Sequence, residues 1–125
     1  AGGASGYSFI ATLPRYIDRS IDLEEVTVNL SIFNPTGAVK PEVRLLPWSG
    51  DFSNKVPASK GIQIKRRENN QYHFDNLGDK SLLNPVTNSF LVKIIIRQKP
   101  DIKVRNAKWK ILNFSITADA HAPEK

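Results

Sequence analysis

Few residues in this chain could carry chemistry, and most of them are cations. There are two histidines and no cysteine or methionine. The lack of cysteine removes disulfides, thiolate metal sites and cysteine nucleophiles. His73 alternates with Tyr72 and Phe74, so on an extended strand it points to solvent while the two rings point inward; His121 falls in a polar tail. Ser49-Gly50-Asp51-Phe52-Ser53 has the look of a nucleophile loop, but no strand-to-helix context or nearby base accompanies it, and a plain turn is expected. Metal-protease, phosphate-loop and dinucleotide-binding signatures are absent from the sequence. An enzyme is not expected, and no cofactor is implied.

Asp18, Asp22, Glu24 and Glu25 form an acidic cluster whose oxygens could approach a calcium ion. The spacing lacks the central Gly and terminal Glu of an EF-hand loop, so a solvated acidic turn is the expected reading. Asn29-Leu30-Ser31 and Asn113-Phe114-Ser115 match the glycosylation pattern but fall inside expected strands, where a glycan has poor access.

The cations are organised. Lys65, Arg66 and Arg67 lie together, and Lys93, Arg97, Lys99, Lys103, Arg105, Lys108 and Lys110 crowd the C-terminal third. With a net charge of +6 and the acids gathered at Asp18 to Glu25, a basic face and an acidic end are expected. Such a face suits a polyanion, a nucleic acid or an acidic protein partner. Outward Lys can equally serve to keep sheet edges apart. Trp48, set between Pro47 and Ser49-Gly50, is either a plug at one end of the fold or a contact residue.

The elements that must position these residues are strands. Val26, Val28, Leu30 and Ile32 alternate with Thr27, Asn29 and Ser31, the period-two pattern of a half-buried strand. Asn34-Pro35-Thr36-Gly37 then supplies turn chemistry. Further strands are expected at Tyr7–Leu13, Glu42–Leu46, Ile62–Arg67, Gln71–Asp75, Phe90–Arg97 and Ala107–Thr117, with a hairpin loop at Glu68-Asn69-Asn70. Glu42–Leu46 lies between two prolines and suits a sheet edge or a strand cut off at both ends. Pro14–Glu25 and Asp79–Leu83 could each hold a helical turn. In the last strand the apolar phase flips between Ile111 and Leu112, which calls for a β-bulge near Ile111, a bend between sheets or burial on both faces; the bulge is favoured.

Seven short strands with Pro and Gly punctuation indicate a single-domain, all-β antiparallel sandwich, immunoglobulin-like, with an OB-type or jelly-roll-like barrel as the alternative. Residues 1–6 read as a Gly-rich arm or linker, 7–118 as the sandwich and 119–125 as a polar tail. Val28, Leu30, Ile32, Phe90, Val92, Ile94, Trp109 and Phe114 are the expected core. No apolar run is long enough to span a membrane as a helix. The function class that fits is a non-catalytic binding or assembly module, a structural subunit of a secreted or particle-type assembly, whose partners are other protein subunits, copies of itself or a polyanion. A basic domain for single-stranded nucleic acid is the alternative, and a small hydrolase or metal-dependent enzyme the remotest. The Tyr7–Ala11 stretch could add to a neighbour's sheet, although a first strand of its own domain is the simpler expectation.

Overall fold

The computed structural model describes residues 4–14, 22–35, 37–51, 57, 60–78, 80–99 and 109–121. Seven strands run in chain order: β1 (Ala4–Thr12), β2 (Asp22–Phe33), β3 (Val39–Pro47), β4 (Arg66–Glu68), β5 (Gln71–Phe74), β6 (Ser89–Gln98) and β7 (Lys110–His121). They make two antiparallel sheets, a three-stranded β1-β6-β3 and a four-stranded β4-β5-β2-β7. No α-helix occurs among the described residues. The expected β-sandwich is what forms. Its terminal strands depart from the order of an immunoglobulin constant domain, where the first strand lies beside the second and the last beside the sixth; here β1 lies beside β6 and β7 beside β2.

The alternation of β2 is what places it in the core. Val26, Val28 and Leu30 are buried against Val43, Leu45, Tyr72, Phe74, Phe90, Val92 and Ile94 of the facing sheet and neighbouring strands. Thr27, Asn29 and Ser31 lie on the outer face. Of the expected core, Val28, Leu30, Phe90, Val92 and Ile94 are fully buried, while Ile32, Trp109 and Phe114 are half-buried at its margin. The turn after β2 closes through Asn34: its side chain bonds both the carbonyl and the N–H of Val39, and Gly37, at φ 65°, donates to the Asn34 carbonyl. That positive φ is the reason glycine ends this turn.

Three hydrogen bonds beyond the strand ladders fix which way the backbone of the three-stranded sheet points. Leu13 N–H bonds Asn88, in register with the β1–β6 ladder, and Leu45 exchanges both of its bonds with Ile62. In an antiparallel ladder, alternate residues face the partner and the others face away. Leu45, Val43, Pro41 and Pro47 therefore turn their backbone groups away from β6, and so do Ala4, Gly6, Ser8, Ile10 and Thr12 of β1. Both prolines of β3 occupy outward positions, where the missing N–H costs no ladder bond. This is why β3 runs from Val39 to Pro47 instead of stopping at its prolines.

The bulge expected near Ile111 is present. Ser31 pairs with Asn113 and Ile32 with Ile111, leaving Leu112 without an opposite number. Ile111, Phe114, Ile116, Ala118 and Ala120 consequently all pack against the core. Leu112 itself, expected to share a face with Phe114, is 58% exposed because it is the extra residue.

Three other expectations are corrected. Ile62–Arg67 is not one strand: Ile62 bridges to β3 of the opposite sheet, and only Arg66–Glu68 pairs with β5. Asp22–Glu25 is extended, not a helical turn, because it pairs with Asp119–His121 of β7; residues 15–21 lie outside the described ones. β1 begins at Ala4 and β7 runs to His121, so parts of the segments read as an arm and a tail belong to the strands.

Candidate functional site

The pairing of β3 with β6 builds a charge cluster from residues far apart in sequence. Lys40, Glu42 and Arg44 share the outer face of β3 at period two, and their partners on β6 are Arg97, Ile95 and Lys93. Glu42 is thus the one carboxylate among four cations. Its Oε1 accepts from Arg44 Nε at 2.8 Å and its Oε2 from Arg97 Nε at 3.2 Å. The Arg44 hydrogen bond, reinforced by Arg97, holds the Glu42 carboxyl below the usual range against the opposing cost of its partial burial. Arg44 also donates to the Gly61 carbonyl at 3.2 Å, tying β3 to the segment that follows it.

Around the edge of β3, the two sheets part to leave a cleft of about 500 Å³. Lys40, Glu42, Arg44 and Arg97 line one side; Gln63, Ile64, Arg67 and Tyr72 line the other. Arg67 stands opposite Tyr72 in the β4–β5 hairpin and lays its guanidinium 4.7 Å from the centre of the Tyr72 ring, a cation–π contact. Its Nε donates to the Asn69 carbonyl, and among the described residues no carboxylate pairs with it, nor with Lys40.

Tyr72 also lines the cleft. The residue is 2% exposed, and its buried hydroxyl has no hydrogen-bond partner among the described residues. A buried hydroxyl in that state costs on the order of 1–3 kcal/mol. Burial pushes the phenol above its ordinary value, with nearby Arg67 opposing the rise; the neutral, donating form is the one held.

The residues expected to form one basic face are divided by the topology. Arg67 and Arg97 meet in the cleft. Lys93 belongs to the cluster on the outer face of the three-stranded sheet, half-buried and opposite Arg44. Lys65 and Arg66 lie beside the cleft on the β4 edge; Arg66 pairs with Glu68, and Lys65 N–H bonds the His73 carbonyl. Lys99 follows β6 and is exposed. Lys110 stands on β7, at the other edge of the four-stranded sheet, with its ammonium 5.8 Å from the Phe33 ring centre. Three strand spacings separate it from β4, roughly 14 Å. Lys103, Arg105 and Lys108 lie outside the described residues. Trp48 is half-buried just after β3, and its carbonyl accepts from Asn84 Nδ2 at 2.7 Å. Lys40, Arg44 and Tyr72 were not marked by the sequence as site residues; the period-two series Lys40, Glu42, Arg44 was the signal for the first two.

His73 is on the outer face, as its parity requires, yet it does not simply point to solvent. Its Nδ1 lies 3.2 Å from Thr27 Oγ1, and its Nε2 is shielded by neighbouring atoms. Asp22, Glu24 and Glu25 lie along β2, and no group of three metal-ligating side chains occurs among the described residues. Likewise, no helix among them is long and apolar enough to cross a membrane. The chain matches no family model, no curated protein and no solved structure.

Proposed function

We propose that this chain is a non-catalytic binding or assembly module that captures an anionic group, the carboxylate of an acidic protein partner, in the cleft between β3 and the β4–β5 hairpin. One observation carries the reading: Tyr72, whose buried hydroxyl has no partner among the described residues, lines the same cleft as Arg67, Arg97, Arg44 and Lys40. A carboxylate entering there accepts charge-assisted bonds from the guanidinium of Arg67, and it reaches the phenol once the side chains covering that hydroxyl move aside. Pro41, Val43 and Ile64 supply an apolar wall for the methylene groups behind the charge. Support for a non-catalytic role comes from the lining itself. It contains no nucleophile beside a base, and its one carboxylate is engaged by two arginines.

A nucleic-acid strand fits less well. Binding of single strands relies on exposed aromatic faces for base stacking, whereas the Tyr72 ring is buried and Arg67 occupies its open face.

The test is titration of a fluorescein-labelled poly-glutamate decamer, followed by anisotropy, beside an oligo-thymidine decamer of matched charge. The peptide should bind more tightly, and Arg67→Ala with Arg97→Ala should weaken it about 10- to 100-fold. Tighter binding of the oligonucleotide with a steep salt slope would instead establish the nucleic-acid reading. Peptide binding indifferent to the two substitutions would remove the cleft as the site.

A further inference from the structure

The free edge of β1 lacks every device that normally protects a sheet edge. The nine residues Ala4–Thr12 include no charge and no proline. Among the described residues their outward N–H and C=O groups, at Ala4, Gly6, Ser8, Ile10 and Thr12, meet no other strand, since β6 is the only described neighbour of β1. Ser5, Gly6, Tyr7, Ser8, Ile10 and Thr12 are all exposed, Ile10 by 43%. The other edges are guarded. β3 carries Pro41 and Pro47 outward and is bridged at Leu45 by Ile62; β4 is three residues long with two arginines; β7 carries Lys110 and is broken by the bulge at Leu112. Short, charged, bulged or proline-bearing edges resist further pairing, and a long neutral one invites it.

We propose that β1 pairs antiparallel with β1 of a second copy of this chain, joining two three-stranded sheets into one continuous sheet across a two-fold axis at Ser8. This site is distinct from the cleft and does not depend on it. The two-fold register centred on Ser8 uses all five outward residues, placing Ala4 opposite Thr12 and Gly6 opposite Ile10, for about ten backbone hydrogen bonds. It sets the exposed Ile10 against a residue with no side chain, where an added Cβ would meet nothing within 4 Å. Small against large at facing positions is the complementarity such a pair needs.

Charge favours a copy at this edge over a charged partner. Although each chain carries +6, β1 brings no cation to the junction. The nearest is Lys93, one strand in from Ser8. Two copies hold their Lys93 residues three strand spacings apart, roughly 14 Å, beyond the Debye length of about 8 Å in physiological salt. Because strand addition covers less area than a standard interface, the dimer dissociates at about 10–100 μM.

Sedimentation equilibrium between about 5 and 500 μM should show a reversible monomer–dimer equilibrium. Ser8→Pro removes only an outward N–H and leaves the β1–β6 ladder whole, so it should leave a folded monomer; Ser8→Lys, which sets two cations on the axis, should do the same and serves if the proline variant fails to fold. The absence of native cysteine permits a register test. Ser8→Cys places two sulfur-bearing residues about 5.5 Å apart between Cα atoms, within disulfide range, and should cross-link at least tenfold faster than Thr12→Cys. A wild-type chain monomeric throughout, open-ended polymers, a dimer that survives both Ser8 variants, or equal cross-linking at the two positions would each overturn the proposal.

Discussion

The two flanks of the sandwich are closed in opposite ways. Where β1 faces β7, aromatic rings bridge the sheets: Phe9 stacks on Phe114 with centroids 4.4 Å apart, and Tyr7 meets Trp109 edge-on at 6.2 Å. Where β3 faces β4, the sheets are held by Arg44 reaching Gly61 and by the Leu45–Ile62 bridge, and the space between is left to cations. The first flank gains stability from apolar area and ring geometry. The second retains a buried hydroxyl and, in Arg67, a guanidinium that no described carboxylate pairs with. The contrast teaches where to look for function: at the flank whose composition is poor for stability.

That division predicts a separation of phenotypes. The largest effect should come from Phe9→Ala, which removes half of the stacked pair and costs about 3 kcal/mol in urea unfolding, with anion binding unchanged below the transition. Next is Arg67→Ala. It should lower affinity for an acidic peptide about tenfold while changing stability by less than about 1 kcal/mol, the worth of one exposed cation–π contact. If Arg67→Ala unfolds the protein as readily as Phe9→Ala, the two flanks are not different in kind. Tyr72→Phe sharpens the point further. Removing an unpartnered buried hydroxyl should leave stability equal or raised by up to about 1 kcal/mol, yet weaken peptide binding. A loss of stability would mean that the hydroxyl is already satisfied in the free protein.

The smallest effect concerns Glu42. Its carboxyl titrates below the ordinary range because Arg44, and then Arg97, bond its ionised form. A group with a lowered folded pKa stabilises the fold above its unfolded pKa and loses that contribution as pH falls through the folded value. Acid titration followed by NMR of the Glu42 carboxyl should therefore show a midpoint below that of a free glutamate, rising toward it in Arg44→Ala. With Glu42 about a third exposed in its side chain, water screens the pair and the stability change stays small.

Much of the architecture was legible because its signals are local. The alternation of β2, the Asn34–Gly37 turn and the phase flip in β7 each sit within a dozen residues. The flip even pointed to the bulge, since an extra residue lets Ile111 and Phe114 share one core within a single strand. What escaped was pairing. Pro41 and Pro47 looked like strand ends because outward and inward backbone positions cannot be told apart without the register. Ile62 alternates with its neighbours, yet bridges to the opposite sheet. The cluster around Glu42 depends on contacts such as that with Arg97, 55 residues away, so a list of basic residues could name Arg97 but could not bring it to Arg44. Tyr72 was read as an inward ring, which is true; that its hydroxyl ends unsatisfied depends on what fails to surround it.

The extra residue at Leu112 works like a shifted reading frame. On either side of it, β7 obeys the same period-two grammar in opposite phase, and the unopposed residue keeps both halves intelligible to one core. Length change in this strand is therefore neutral at one place alone. Deleting Leu112 would make the ladder regular at that point with Ile111 and Phe114 still inward, leaving the other shift at Glu24 of β2, whereas deleting Ser115, three positions on, would throw Ile116, Ala118 and Ala120 to the wrong face.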